Sequence, residues 1–145
     1  YKRLNNKEIK EFHKLLKEQF GFSGKLDYLF FRKKDKIYTS SKKLNEIDIE
    51  KFNLNSAGLY IAKMEPFGLR LSIEGSQIIG PKSNKNILEL KSPVEWMQGK
   101  DIETKNKFNK IVIIKYKNDF LGSGFYKNNK IFNYIPNSRR LKAGI

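Results

Sequence analysis

The sequence contains no cysteine and a single histidine, His13. Disulfide frameworks, thiolate zinc sites and cysteine nucleophiles are excluded together, and one imidazole leaves almost nothing for a metal centre. Long apolar runs are also missing: nothing approaches the roughly 18 to 20 apolar residues that span a bilayer, and the first residues lack the apolar stretch of a secretory signal. The expectation is a soluble, cytoplasmic protein with no membrane partner, no metal and no cofactor. The chain begins with Tyr1 rather than Met, which leaves open a processed chain or a piece of a longer one.

Acidic residues are scarce. Fifteen Asp and Glu face thirty Lys and Arg, giving a formal net charge of +15 and a pI near 9.9. A compact body with such an excess repels itself unless it meets a polyanion. Because 25 of the 30 basic residues are Lys, compositional drift is the bland alternative, but drift alone does not thin out Asp and Glu. The excess is also uneven: residues 1–81 hold 16 basic and 10 acidic residues, and residues 82–145 hold 14 and 5. After Glu103 the only acidic residue is Asp119, so the last forty or so residues are the expected footprint of a nucleic acid.

What is present is enough apolar matter for a core: 39% hydrophobic residues, with eleven Phe, seven Tyr and one Trp in 145 residues. Asn5 to Phe20 reads as an amphipathic helix, with Ile9, Phe12, Leu16 and Phe20 at three- and four-residue steps, Asn5 and Glu8 as a capping box and Gly21 as terminator. Tyr28–Arg32 and Lys36–Thr39 suggest a hairpin turning near Lys34 and Asp35, Asp48 to Phe52 a turn or two of helix, and Ala57–Met64 with Gly68–Leu71 a second strand pair. Ser72 can cap a short helix that Gly80-Pro81 stops. The polar stretch from Pro81 to Asn86 is the candidate domain boundary, which would divide the chain into residues 1–81 and 82–145.

Beyond it, Ile87–Leu90 reads as a strand, and Ser92-Pro93 opens a helix, with Ser92 as cap and Pro93 at the first position, that runs through Trp96 and Met97 and ends at Gly99. Lys110–Tyr116, Asp119–Tyr126 and Lys130–Ile135 read as three consecutive strands, with Lys117-Asn118 and Asn128-Asn129 as their turns. The fold class expected is α+β, ending in a small antiparallel β-barrel.

Three segments carry a family resemblance: AGLYIAKMEPFGLRLSIEGSQIIGP, ILELKSPVEWMQGKDIE and KIVIIKYKNDFLGSGFYKNNKIFNYIPNSRRL, together spanning Ser56 to Leu141. They resemble the PUA-like RNA-binding region at the C-terminus of Nol/Nop/Sun-type RNA cytosine-5 methyltransferases. More distantly, they are similar to the Nip-type ribosome-biogenesis factors, in which an α/β pre-PUA domain precedes a PUA barrel. The resemblance implies an N-terminal α/β pre-PUA-like domain, a C-terminal PUA-like barrel, and structured rRNA or tRNA as partner. Its most specific pieces are EWMQGKDIE (Glu95 to Glu103) and FLGSGF (Phe120 to Phe125). In PUA domains the matching helix and glycine loop, with one barrel edge, line the RNA, which points to Gln98, Gly99 and Lys100. The methyltransferases attack their base with a Cys that this sequence lacks, so the resemblance implies the binding module without the catalytic one.

Further candidate contacts are Lys115, Lys117, Lys127 and Lys130, which flank apolar strand segments, and the tail residues Arg139, Arg140 and Lys142. The bland alternatives are lysines that solvate a strand face and a tail that solvates the terminus. Gly122-Ser123-Gly124 is followed by strand rather than helix, so it reads as a bulge or a close-packed corner instead of a phosphate cradle. Trp96 reads as a core anchor; Tyr126 and Tyr134 are candidates to stack an unpaired base. His13 reads as structural. Two further function classes stay open: a scaffold that docks an RNA methyltransferase or ribosome-assembly factor, and a metal-dependent enzyme using Glu74, Glu89, Glu95, Asp101 or Glu103.

Overall fold

The computed structural model describes residues 1–44 and 58–142, so the expected helical turn at Asp48 to Phe52 lies outside the described residues. Two five-stranded sheets carry the fold. The first is antiparallel and runs in chain order: β1 (Lys2–Arg3), β2 (Phe30–Lys33), β3 (Lys36–Thr39), β4 (Leu59–Glu65) and β5 (Gly68–Leu71). Helix α1 (Asn6–Phe20) lies between β1 and β2 in the chain. Helix α2 (Ile73–Ile79) leads from the first sheet towards the second and packs on both β4 and the second sheet.

The second sheet contains β6 (Ile87–Glu89), β7 (Ile102–Glu103), β8 (Ile111–Tyr116), β9 (Asp119–Lys127) and β10 (Lys130–Asn133), in the spatial order β6-β8-β9-β10-β7. A one-turn helix, α3 (Val94–Met97), precedes β7. The sheet curls into a half-barrel, and the chain is mixed α/β as its sequence pattern suggests.

One expectation is corrected. The barrel is not wholly antiparallel, because β6 pairs with β8 in parallel, with Ile87 opposite Ile113. The physical reason is the connection: the chain between them carries α3 and β7 across to the far edge of the sheet, and β8 re-enters beside β6 in the same direction. A smaller correction concerns α3, whose N-cap is Pro93 rather than Ser92. The Ser92 hydroxyl still accepts from the Val94 amide at 3.4 Å.

Local chemistry explains most element ends. Asn5 and Glu8 form the reciprocal capping box: the Glu8 amide donates to Asn5 Oδ1 at 2.9 Å, and the Asn5 amide to Glu8 Oε1 at 3.1 Å. Such a cap contributes about 1 kcal/mol. Gly21 closes α1 in the left-handed region, with φ 64°. Ser72 caps α2 by accepting from the Gly75 amide at 3.0 Å. The turns at Lys34, Lys117 and Asn128-Asn129 fall where expected, and each of these four residues takes a positive φ.

Two apolar clusters form the core. The larger one joins α1 (Phe12, Leu16, Phe20) and the first sheet (Phe30, Ile37, Ile61, Leu69, Leu71) to Ile111, Ile113 and Phe120 of the second. The smaller one covers the other face of the second sheet with Trp96, Val112, Ile114, Ile131 and Ile135, and Ile73 from α2. Period-two alternation along β8 accounts for the split, since Ile111 and Ile113 point to one face while Val112 and Ile114 point to the other. A strand buried on both faces reads as an unbroken apolar run, as IVII does here.

Candidate nucleic-acid interface

The glycine-flanked serine of β9 is a joint between the sheets. Ser123 Oγ donates to the Leu71 carbonyl at 2.9 Å and accepts from the Leu71 amide, also at 2.9 Å. The Gly122 amide donates to Ser76 Oγ at 2.8 Å. Gly122 has φ 85° and sits where the β8–β9 register shifts, so the glycine permits a bulge. A Cβ on Gly124 would lie 2.5 Å from both Ile131 and the Phe132 carbonyl. The structural reading of this motif therefore holds.

Trp96 anchors α3 from inside. It is 1% exposed, and its indole N–H donates to the Leu121 carbonyl at 2.7 Å. Above this anchor the chain turns at Gly99, whose φ of 92° disfavours any residue with a Cβ. The Arg140 side chain crosses Gly99 so closely that an added Cβ would lie 2.4 Å from its Nε. Arg140 Nε in turn donates to the Ile135 carbonyl at 2.9 Å. Asn133 ties the loop to β10 by donating through Nδ2 to the carbonyls of Trp96 at 2.8 Å and Lys100 at 2.9 Å. Gln98, Gly99, Lys100 and Arg140 are thus brought together on one rim, with Leu141 bonded back to the Met97 carbonyl.

From that rim β7 runs along β10, with Ile102 opposite Ile131 and Glu103 opposite Lys130. Lys130 continues the edge towards the Asn128-Asn129 turn, where Lys105 and Lys130 border an open groove and Lys127 begins the turn. Lys107 Nζ donates to Asn129 Oδ1 at 2.6 Å beside it. The structure therefore places Gln98, Gly99, Lys100, Arg140, Lys130 and Lys127 along one edge. Lys115 and Lys117 stand elsewhere: they flank the other end of β9, roughly 25 Å away along a nine-residue strand. Their ammonium groups lie over Phe120 and Tyr116 at 5.6 and 5.3 Å.

Carboxylates are interleaved with this edge. Glu95 reaches Lys100 and Asp101 reaches Lys130, each at 3.9 Å; pairs this long and this exposed contribute little. Arg139 is different, because its Nη1 donates to Glu74 Oε1 at 2.7 Å and Glu74 belongs to α2. Arg139 therefore turns away from the rim that Arg140 joins. Among the described residues Lys127, Arg140 and Lys142 form no ion pair, and neither do Lys115 and Lys117.

The aromatic candidates also separate. Tyr134 has one face covered by the Arg70 guanidinium, 3.9 Å from the ring centre, and burial raises its phenol pKa while Arg70 pulls it down. Tyr126 packs edge-on to Phe108 and donates to Asn129 Oδ1 at 3.2 Å. Phe132 is the exposed aromatic of β10 at 39%, with Lys130 Nζ 5.5 Å from its centre. Alternation along β10 is the signal for it, since Phe132 follows Lys130 at the two-residue period and the two are in contact. Lys105 and Lys107 belong to the sequence's basic run, but only the turn geometry sets them beside Lys127 and Lys130.

No helix of the described residues is long and apolar enough to cross a membrane. No curated protein matches the sequence. Residues 84–141 match the family model of the Methyltransferase RsmF PUA domain, so the segment that builds α3, the Gly99 rim and the cationic edge is similar to the PUA domain of Sun-type RNA cytosine methyltransferases, as the sequence motifs suggest.

Proposed function

We propose that this chain binds structured RNA, ribosomal or transfer RNA, through the β7–β10 edge, and that it catalyses no reaction itself. In this reading residues 82–145 are the PUA-like RNA-binding barrel and residues 1–81 a pre-PUA-like domain, working in the cytoplasm in ribosome biogenesis or RNA modification. The observation that carries it is the clustering of Gln98, Gly99, Lys100 and Arg140 on one rim of a segment that matches a PUA model. Gly99, having no side chain, lets Arg140 lie across the rim; Arg140, Lys127 and Lys130 neutralise phosphates, and Phe132 offers a ring to an unpaired base.

Fluorescence anisotropy with a labelled tRNA transcript tests the reading. Affinity falls steeply as salt rises, and replacing Lys127, Lys130 and Arg140 with Gln weakens binding and flattens the salt slope by about one for each phosphate that the variant leaves without a cation. An unchanged slope removes this edge from the interface. Crosslinking in cells with sequencing of the bound RNA identifies the target. A second reading, a scaffold docking an RNA methyltransferase or ribosome-assembly factor, draws support from an apolar-floored groove formed by Leu4, Phe12, Leu15, Ile37 and Met64. A protein partner retained after nuclease treatment would favour it.

A further inference from the structure

The basic excess is not confined to the barrel. Lys10, Lys14 and Lys17 lie on one face of α1 at the i, i+4 and i+7 positions, all exposed. Together with His13, Asn84 and Lys85 they line an open groove of about 700 Å³. Its second wall is held in place by backbone bonds. The Asn84 and Lys85 amides donate to the Phe20 carbonyl at 2.9 and 3.1 Å, and the Ser23 amide donates to the Lys82 carbonyl at 2.9 Å. Asn86 Nδ2 completes the clasp on the Gln19 carbonyl at 2.7 Å. The free carbonyls at the end of α1 are thus consumed by the segment that carries Lys82 and Lys85.

His13 secures the other lip. It accepts from the Leu26 amide at Nε2 (3.1 Å), while Nδ1 lies 2.9 Å from the Ile9 carbonyl, so the ring bridges α1 to the segment after it. The groove walls therefore position ammonium groups without themselves being ligands. Lysines spaced this way repel along a helix and disfavour it in isolation. Among the described residues Glu18 alone pairs with one of them, at 3.9 Å from Lys14 with both groups largely exposed, whereas Glu8 and Glu11 border the separate apolar-floored groove.

We propose that this groove is a second contact for the RNA backbone, so that the molecule grips one RNA at two places, on the barrel edge and on α1. The inference rests on the RNA-binding reading above. Charge complementarity selects the occupant: the lining offers lysines and the Asn84 side-chain amide, and its one large apolar side chain, Phe22, is buried. A folded protein partner needs an apolar centre to its interface, whereas a phosphate backbone needs a row of cations.

The test uses a fluorescein-labelled RNA stem-loop of roughly two helical turns, titrated at several salt concentrations. Replacing Lys10, Lys14 and Lys17 together with Gln, which has similar helix propensity, is expected to lower affinity at least about tenfold and to flatten the salt slope by about two to three. The pair Lys82→Gln and Lys85→Gln, outside the helix, is expected to act in the same direction, and circular dichroism checks that each variant folds. If both α1-groove variants bind as the wild type does while Lys127→Gln with Lys130→Gln weakens binding, the groove is not an RNA contact and the barrel reading stands. Failure of the wild-type chain to bind RNA overturns both. Binding of polyglutamate at the groove with no response to RNA also overturns the inference, in favour of an acidic protein segment.

Discussion

Ser123 and Leu71 are locked together: one buried hydroxyl satisfies both the amide and the carbonyl of Leu71, at 2.9 Å each. Leu71 belongs to the last strand of the first sheet and Ser123 to the central strand of the second, so this pair closes the polar seam where the sheets meet. Ser123→Ala leaves two buried backbone groups without partners, at about 1–3 kcal/mol for such a group. A loss of at least about 2 kcal/mol in urea unfolding is expected, with RNA affinity of the remaining folded protein unchanged.

Gly99 and Arg140 form a pair whose coupling is measurable. Gly99→Ala introduces a Cβ at φ 92°, 2.4 Å from Arg140 Nε, so it combines backbone strain of about 1–2 kcal/mol with displacement of the guanidinium. Arg140→Ala in the same chain removes the collision but not the strain. The double variant should therefore be more stable than the sum of the single losses predicts, by thermal or urea unfolding. Strict additivity would show that Arg140 swings aside freely.

Glu74 holds Arg139 through a 2.7 Å contact. Glu74→Gln releases that guanidinium from its carboxylate and removes one negative charge near the interface. RNA affinity should rise a few-fold, with the salt slope steeper by up to about one, while stability falls by less than about 1 kcal/mol at this partly exposed site. A drop in affinity would mean that the Glu74–Arg139 pair itself shapes the binding surface.

Trp96 is the single tryptophan and is 1% exposed, so its emission reports on the barrel interior. Saturating RNA should leave the emission maximum in place, and unfolding should move it to longer wavelength. Trp96→Phe loses the 2.7 Å bond to the Leu121 carbonyl together with packed volume, for an expected cost of about 2–3 kcal/mol. Strong quenching by RNA without unfolding would place the indole against a base instead.

Local signals carried far in this chain. Asn5, Glu8 and Gly21 define α1, and Lys34, Lys117 and Asn128-Asn129 define three turns, because each acts through its own φ or through a bond to a near neighbour. What escaped was set by distant partners. Strands β1 and β7 are two residues each and exist only through pairing with β2 and β10. The direction of β6 is invisible in ILE, since a short apolar run looks the same beside a parallel or an antiparallel neighbour. In the candidate site, the helix-to-glycine segment was legible because Gly99 adopts a conformation that favours glycine. The lysine set was not, since proximity in sequence joined Lys115 and Lys117 to residues that a full strand length separates from them. The contact between Arg139 and Glu74 is not legible in the tail itself, because Glu74 lies 65 residues earlier.

Ile111, Ile113 and Phe120 share an interior with Phe12, Leu16 and Phe20. On the ribosome, α1 and the first sheet emerge long before the strand that seals them, so their apolar surface waits uncovered until β8 and β9 are translated. Excising the C-terminal part for fusion to an unrelated protein would strip the same lining, and a soluble graft would require polar replacements at those three positions.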